Sequence, residues 1–302
     1  MITREDLIEA GVRELERRGQ KAATDPLVTM AAIADALELR PSRPPPSCLF
    51  VRRTEWVPVE IAALFAIVIV CGRIESAARP GVVVRANRDA GWYSAVRLRG
   101  TDVVVWDWMI PPGLWAAGLV ELADWARAIG ALGLCLNVEP ASGGDKYGPR
   151  DWRGKADELG AYATNARDAC DRRSLELWVT SWALPPRSPG RPERSFALEE
   201  LVRPSHRQIP QPYEVHGRSG PEYVAEVLER WREAGSRRVI LGRGAHELDK
   251  SDRDAWRTHA QIEAHRATTP PGYGEAWWVP AGDLGRRRTE VRAMLYPPPS
   301  AA

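Results

Sequence analysis

Short β-branched runs alternating with longer amphipathic segments predict an α/β fold, a (β/α)8 TIM-type barrel preceded by a small helical N-terminal segment. Two further observations support it. The alternation begins only after a proline-rich stretch, Pro41-Ser42-Arg43-Pro44-Pro45-Pro46-Ser47, and 302 residues at 44% hydrophobic content are enough for a sizeable core. The chain therefore reads as a helical head and linker (1–47), a barrel (48–296) and a short tail (297–302).

In the head, Leu7, Ile8, Val12 and Leu15 recur at helical spacing behind a cap region at Thr3, Glu5 and Asp6. Leu27, Met30, Ile33, Ala34 and Leu37 do the same for a second helix, and the apolar face of residues 1–40 is a candidate surface for a protein partner. Barrel strands are expected at Phe65–Val70, Gly81–Arg85, Asp102–Trp106, Gly133–Val138, Leu175–Ser181, Gln208–Tyr213, Arg238–Leu241 and Glu275–Val279. The stretch Val59–Cys71 also fits a buried helix. Helices are expected at Leu114–Ile129, Trp152–Cys170, Pro221–Ala234, with proline in the first turn, and Asp252–Arg266.

Composition excludes several functions. With 42 basic against 40 acidic residues, the +2 balance offers no general attraction to nucleic acid or anionic membrane. The longest apolar run, Ile61 to Cys71, falls well short of the roughly 20 residues of a membrane span. The N-terminus is charged at once and has no apolar h-region, so a cytoplasmic location, or export by a non-classical route, is expected. Cys48, Cys71, Cys135 and Cys170 form no CxxC pair and read as buried reduced thiols. No nucleotide fingerprint is present and no cofactor is expected. The informative number is 13 Trp against 3 Phe, which suggests aromatic packing or a platform for flat ligands such as sugars.

Barrel enzymes build their sites where the strands end, at their carboxyl termini. Those ends carry Asp107 and Trp108, Asn137 and Glu139, Thr180 and Trp182, Gln211, Tyr213, Glu214 and His216, Arg243 and His246, and Trp277 and Trp278. Carboxylates, amides and indoles of this kind suit a carbohydrate, whose hydroxyls meet the polar groups while its C–H faces lie on Trp. Within Leu134-Cys135-Leu136-Asn137-Val138-Glu139-Pro140, a period of two puts Asn137 and Glu139 on one face. A Glu at an apolar mouth has its charged form disfavoured and is suited to protonate a glycosidic oxygen.

These residues resemble the chitinase-like glycosidases of family 18 and related barrels acting on chitin or peptidoglycan glycans. In that family the fourth strand ends in D-x-x-D-x-D-x-E, whose matching positions are Leu132, Cys135, Asn137 and Glu139. The strand-six Tyr and following acid match Tyr213 and Glu214, and the strand-eight Trp matches Trp277 or Trp278. The resemblance implies Glu139 as general acid, Asn137 and Tyr213 holding an N-acetyl group, and Trp277 or Trp278 beneath the sugar ring. Asn137 stands where the family has a carboxylate. Trp108, Trp182 and Gln211 complete the expected glycan-binding set.

Three other readings compete. Asp107 with Glu139 would make a two-carboxylate glycosidase. His216 and His246, joined by Glu139 and Asp107, would make a metal-dependent hydrolase, although no metal-ligand spacing marks the sequence. A barrel that kept its aromatic platform but lost acid chemistry would be a non-catalytic glycan binder or scaffold.

Overall fold

The computed structural model describes residues 46–76, 79–85, 87, 89–108, 115–140, 152–213, 218–246, 256–280 and 282–295, excluding the side chains of 74–85, 108 and 115–117. The expectations for residues 1–45 and 297–302, and for Glu214 and His216, fall outside these described residues. In chain order the strands are β1 Ser47–Val51, β2 Ile67–Cys71, β3 Arg73–Ser76, β4 Arg79–Arg85, β5 Asp102–Trp108, β6 Gly133–Asn137, β7 Glu176–Trp182, β8 Arg207–Gln211, β9 Ile240–Gly244 and β10 Gly274–Trp278. The helices are α1 Val59–Ala62, α2 Ala90–Leu98, α3 Trp115–Ala128, α4 Ala156–Asp171, α5 Leu198–Val202, α6 Gly220–Glu233, α7 His259–Ala267 and α8 Arg288–Leu295.

Eight strands pair in parallel in the order β8-β7-β6-β5-β2-β1-β10-β9. A parallel bridge between Gln208 and Val239 brings β8 to β9, so the sheet forms a nearly closed barrel with helices between its strands. At that seam the Gln208 side-chain oxygen also accepts from the backbone N–H groups of Arg237 (3.3 Å) and Arg238 (3.1 Å).

Each barrel strand is buried on both faces, which explains the unbroken apolar runs. Cys48, Phe50, Ile67, Ile69, Cys71, Val104, Trp106, Cys135, Trp178, Ile209, Ile240 and Ala276 fill the interior. The alternate residues, such as Leu49, Val68, Val103, Val105, Leu134, Leu136, Leu177 and Val179, face the helical layer. There Trp125, Trp152 and Trp231 are buried, as expected of helix packing. The four cysteines are free and buried, and burial pushes the thiols of Cys48, Cys71 and Cys170 up to about 12.

The strand assignment needs two corrections. Gly81–Arg85 belongs to β4, which pairs antiparallel with β3 in a separate two-stranded ribbon. The first barrel strand is instead β1, directly after the proline run, with the Pro46 carbonyl accepting from Glu275 N–H. Proline lacks a donor but not an acceptor, so it can stand at a strand's entry. Between Val59 and Cys71 both readings are partly realised, a one-turn helix α1 followed by β2. Strand β9 runs on through Gly242-Arg243-Gly244, past the expected end at Leu241. A Cβ on Gly242 would lie 2.8 Å from the Pro210 carbonyl oxygen, so the close approach of β8 demands glycine there. Helix α7 begins at His259, later than expected, behind a capping box formed by Thr258 and Gln261. No helix among the described residues is long and apolar enough to cross a membrane.

Candidate active site

Strand β6 carries the polar centre of the barrel mouth. Asn137 is buried and follows Cys135 on the inward face, and Glu139, half-buried, comes two residues later. Asn137 Nδ2 donates to Glu139 Oε1 at 3.2 Å. From β8, Gln211 Nε2 donates to Asn137 Oδ1 (3.1 Å) and to Thr180 Oγ1 on β7 (2.9 Å). Thr180 Oγ1 in turn donates to the Ile209 carbonyl at 2.7 Å. Side chains of three adjacent strands thus form one connected chain. Gln211, expected to meet a ligand, is engaged in holding Asn137.

Just beyond β8, Tyr213 is half-buried. Burial, the charge of Glu139 and neighbouring Cys135 all raise its phenol above the usual tyrosine range, so it remains a hydrogen-bond donor at neutral pH. Its ring meets the buried His246 imidazole edge-on, with centroids 5.8 Å apart at 69°. Beside them, a Cβ on Gly244 would come within 3.2 Å of His246 Cε1 and 3.6 Å of Tyr213 Cδ1.

The opposite wall is aromatic. Trp278 lies 5.0 Å from Trp106 and 5.4 Å from Phe50 between ring centroids, tilted or edge-on in each case. Strand order places β10 four strands from β6 around the ring of eight, across the mouth from Asn137. Trp182 closes β7 on the same face as Trp178 and Thr180 and is 36% exposed.

Other expected site residues are directed elsewhere. Trp277 is fully buried in the outer helical layer, 6.0 Å from the His265 ring, because neighbours on a strand face opposite ways. It cannot support a sugar from there. Asp107 pairs in register with outward-facing Leu136, and Arg73 Nε and Nη2 donate to its Oδ1 (3.1 Å) and Oδ2 (2.6 Å). Burial would lower the Arg73 guanidinium, but the hydrogen bond and charge of Asp107 outweigh it and hold it above its ordinary value. Asp107 and Glu139 therefore face opposite sides of the sheet and do not form a two-carboxylate pair. The Trp108 side chain and His216 lie outside the described residues.

Arg243 also leaves the mouth. It is completely buried on the outer face, where Thr269 joins it by hydrogen bonds to Glu275, with Arg266 3.4 Å from the same carboxylate. His265, on α7, is buried, and its Nε2–H donates to the Pro212 carbonyl at 3.2 Å. Among the described residues no group of three or more His, Cys, Asp or Glu side chains could hold a metal ion. A cavity of about 870 Å³ bounded by Arg187, Ser195, Phe196, Glu199 and Arg230 shares none of the mouth residues.

Sequence reasoning missed Phe50 because it missed β1. The alternation of Cys48 and Phe50 with Leu49 and Val51 is the signal that would have found it. Trp106 is both core and the underside of the aromatic wall.

No protein-family model matches the sequence, and neither does any curated protein. Among solved structures, the fold is similar to a chitinase from Rhizomucor miehei (TM-score 0.59, 9% identity, 82% of this chain and 99% of that chain). It is also similar to a glycoside hydrolase family 18 N-acetylglucosaminidase from Paenibacillus barengoltzii (0.57, 10% identity, 83% and 99%). The Bacillus cereus spore cortex-lytic enzyme SleL is a third neighbour (0.54, 9% identity, 84% and 75%). At these identities the likeness is one of fold.

Proposed function

We propose that the barrel mouth takes an N-acetylated glycan of chitin or peptidoglycan type, with Glu139 as its general acid. The observation that carries this reading is the Asn137 to Glu139 hydrogen bond on the inward face of β6, set across the mouth from Trp278. A carboxyl group facing an indole wall is what a sugar requires, an acid at the linkage and an apolar surface under the ring. The fold likeness to a chitinase, an N-acetylglucosaminidase and a cortex-lytic enzyme favours the same substrate class. It does so by analogy of fold.

In the proposed mechanism Glu139 gives its proton to the glycosidic oxygen as the bond to the anomeric carbon breaks. The acetamido oxygen of the same sugar attacks that carbon, forming a cyclic cation held by Asn137 and Tyr213. Water then opens the ring and returns its proton to the Glu139 carboxylate. Trp278 supports the reacting sugar and Trp182 a neighbouring one. The test is release of label from an N-acetylglucosamine oligomer. Glu139→Gln should lower turnover by 10²-fold or more, roughly the contribution of a positioned acid, with oligomer affinity nearly unchanged. Cleavage by the variant at the wild-type rate would end this reading.

A second reading, a glycan binder without turnover, is favoured by Asn137 itself. An amide bears no charge to stabilise the cationic intermediate. Oligomer binding by calorimetry with no released label would establish it.

A further inference from the structure

The hydrogen-bond chain at the mouth has a direction, and the direction is set at one end. Thr180 Oγ1 spends its single proton on the Ile209 carbonyl (2.7 Å), so toward Gln211 it can only accept. Gln211 must therefore present its nitrogen, not its oxygen, and Nε2 donates to Thr180 Oγ1 at 2.9 Å. The second proton of that nitrogen goes to Asn137 Oδ1 at 3.1 Å. With its oxygen turned to Gln211, Asn137 has its NH2 turned to Glu139 Oε1, 3.2 Å away. A backbone carbonyl, which is never a donor, thus determines which end of an amide faces the acid two strands away.

We infer that Gln211 is a positioning residue that acts through Asn137, fixing its NH2 toward Glu139 so that Oε1 accepts and Oε2 carries the proton of the acid form. The inference rests on the proposed role of Glu139 and refines it. The proton given to the glycosidic oxygen leaves from Oε2, and the negative charge that results is met at Oε1 by an N–H already in place. An amide nitrogen neither takes up nor releases that proton, so position 137 stabilises the carboxylate without sharing its proton. Among the described residues, the titratable neighbours Tyr213, Cys135, His246 and Asp107 have other roles. Tyr213, from the end of β8, stays a phenol, and burial keeps Cys135 on β6 a thiol. His246 stacks beyond Tyr213, and Asp107 on β5 is turned outward to Arg73.

The test uses the full chain without ligand, following the Glu139 side-chain carboxyl by carbon NMR during a pH titration, with the resonance assigned through Glu139→Gln. Gln211→Met keeps the length of the side chain and removes the donor, freeing Asn137 to turn. The Glu139 midpoint should then rise by about one pH unit, because a donor to the charged form is no longer held in place. Gln211→Glu should raise it further, since a carboxylate at 211 attracts the Asn137 NH2 and turns the Asn137 oxygen toward Glu139. In the wild type, the Asn137 side-chain amide protons should exchange at least roughly tenfold more slowly than those of exposed Asn165, a measurement that needs no variant to fold. Midpoints agreeing within about 0.2 unit in all three proteins, or an Asn137 amide exchanging as fast as Asn165, would overturn the inference. Failure of an N-acetylglucosamine trimer to bind would instead count against the glycan reading, and the titration would still decide the orientation of Asn137.

Discussion

Asp107 and Glu139 come from neighbouring strands, yet strand parity places their carboxyl groups in different surroundings. In register, Asp107 sits beside Leu136 and Trp108 beside Asn137, so Asp107 faces the helices and Asn137 the barrel interior. Asp107 serves the fold. Its side chain is 3% exposed and that of Arg73 is 19%, and removing the acid leaves a mostly buried guanidinium without its bidentate partner. Asp107→Ala should therefore lower stability by about 2 kcal/mol, less than for a fully buried pair because Arg73 keeps some solvent. A shift in the denaturant midpoint, with unchanged oligomer affinity, is the expected result. An unchanged midpoint would show that the pair contributes little. Residue identity alone marked both acids, and only the two-residue period could sort them. The sorting succeeds on β6, where Cys135, Asn137 and Glu139 can be counted along one face. It fails at Trp277 and Trp278, because a Trp-Trp pair gives no sign of which indole turns inward.

Among the elements, α7 buries a histidine beside an apolar residue, Ile262. His265 packs between Trp277 and the Pro212 carbonyl, and burial, followed by the charges of Arg243 and Arg257, holds its imidazole well below the usual histidine range. The folded protein thus keeps His265 neutral where the unfolded chain, with a pKa near ~6.5, takes up a proton. The unfolded state then binds more protons, and stability must fall as pH drops below that value. His206, half-buried and also lowered by burial, adds in the same direction. Between pH 6.5 and 5 the His265 contribution should approach about 1.4 kcal/mol per pH unit, with a smaller share from the partly exposed His206 and an opposing one from Glu275, whose carboxyl burial raises. Denaturant midpoints for the wild type and His265→Gln across this interval should converge as pH falls, and parallel curves would contradict the argument. Nothing in the residue pattern distinguishes the two histidines, since His259 and His265 both fall on a helix with a weak apolar face. Only the neighbouring strands show that His265 is inside while His259 pairs with Glu263 at the surface.

At the scale of the whole molecule, barrel closure depends on the β8 to β9 seam. One bridge pair and the Gln208 side chain join these strands, and Gly242 lets them approach. Gly242→Ala would force a methyl to within 2.8 Å of the Pro210 carbonyl, a contact that must be relieved by moving backbone. A loss of about 1–3 kcal/mol is expected, read as a lower thermal midpoint, together with weakened oligomer affinity because β8 also carries Gln211 and leads to Tyr213. An unaltered midpoint would mean that the seam is slack. The barrel itself was legible in the alternation of strand and helix signals, because a parallel sheet buried on both faces writes itself as apolar runs. Two elements escaped for physical reasons. β1 was hidden by the proline run it directly follows. β4 carries a strand signal, Val82-Val83-Val84, that does not distinguish a barrel strand from an antiparallel ribbon.

The adjacent indoles of β10 have an optical consequence. Trp278 lines the mouth and Trp277 is sealed beneath α7, so two fluorophores one residue apart sample independent events. An oligosaccharide at the mouth would alter the emission of Trp278 and leave Trp277 dark to its arrival. Loosening of α7 would do the reverse. The other eleven tryptophans are common to every variant, so the part of a ligand-induced change that Trp278→Phe removes reports entry at the mouth, and the part of a denaturant-induced change that Trp277→Phe removes reports helix release.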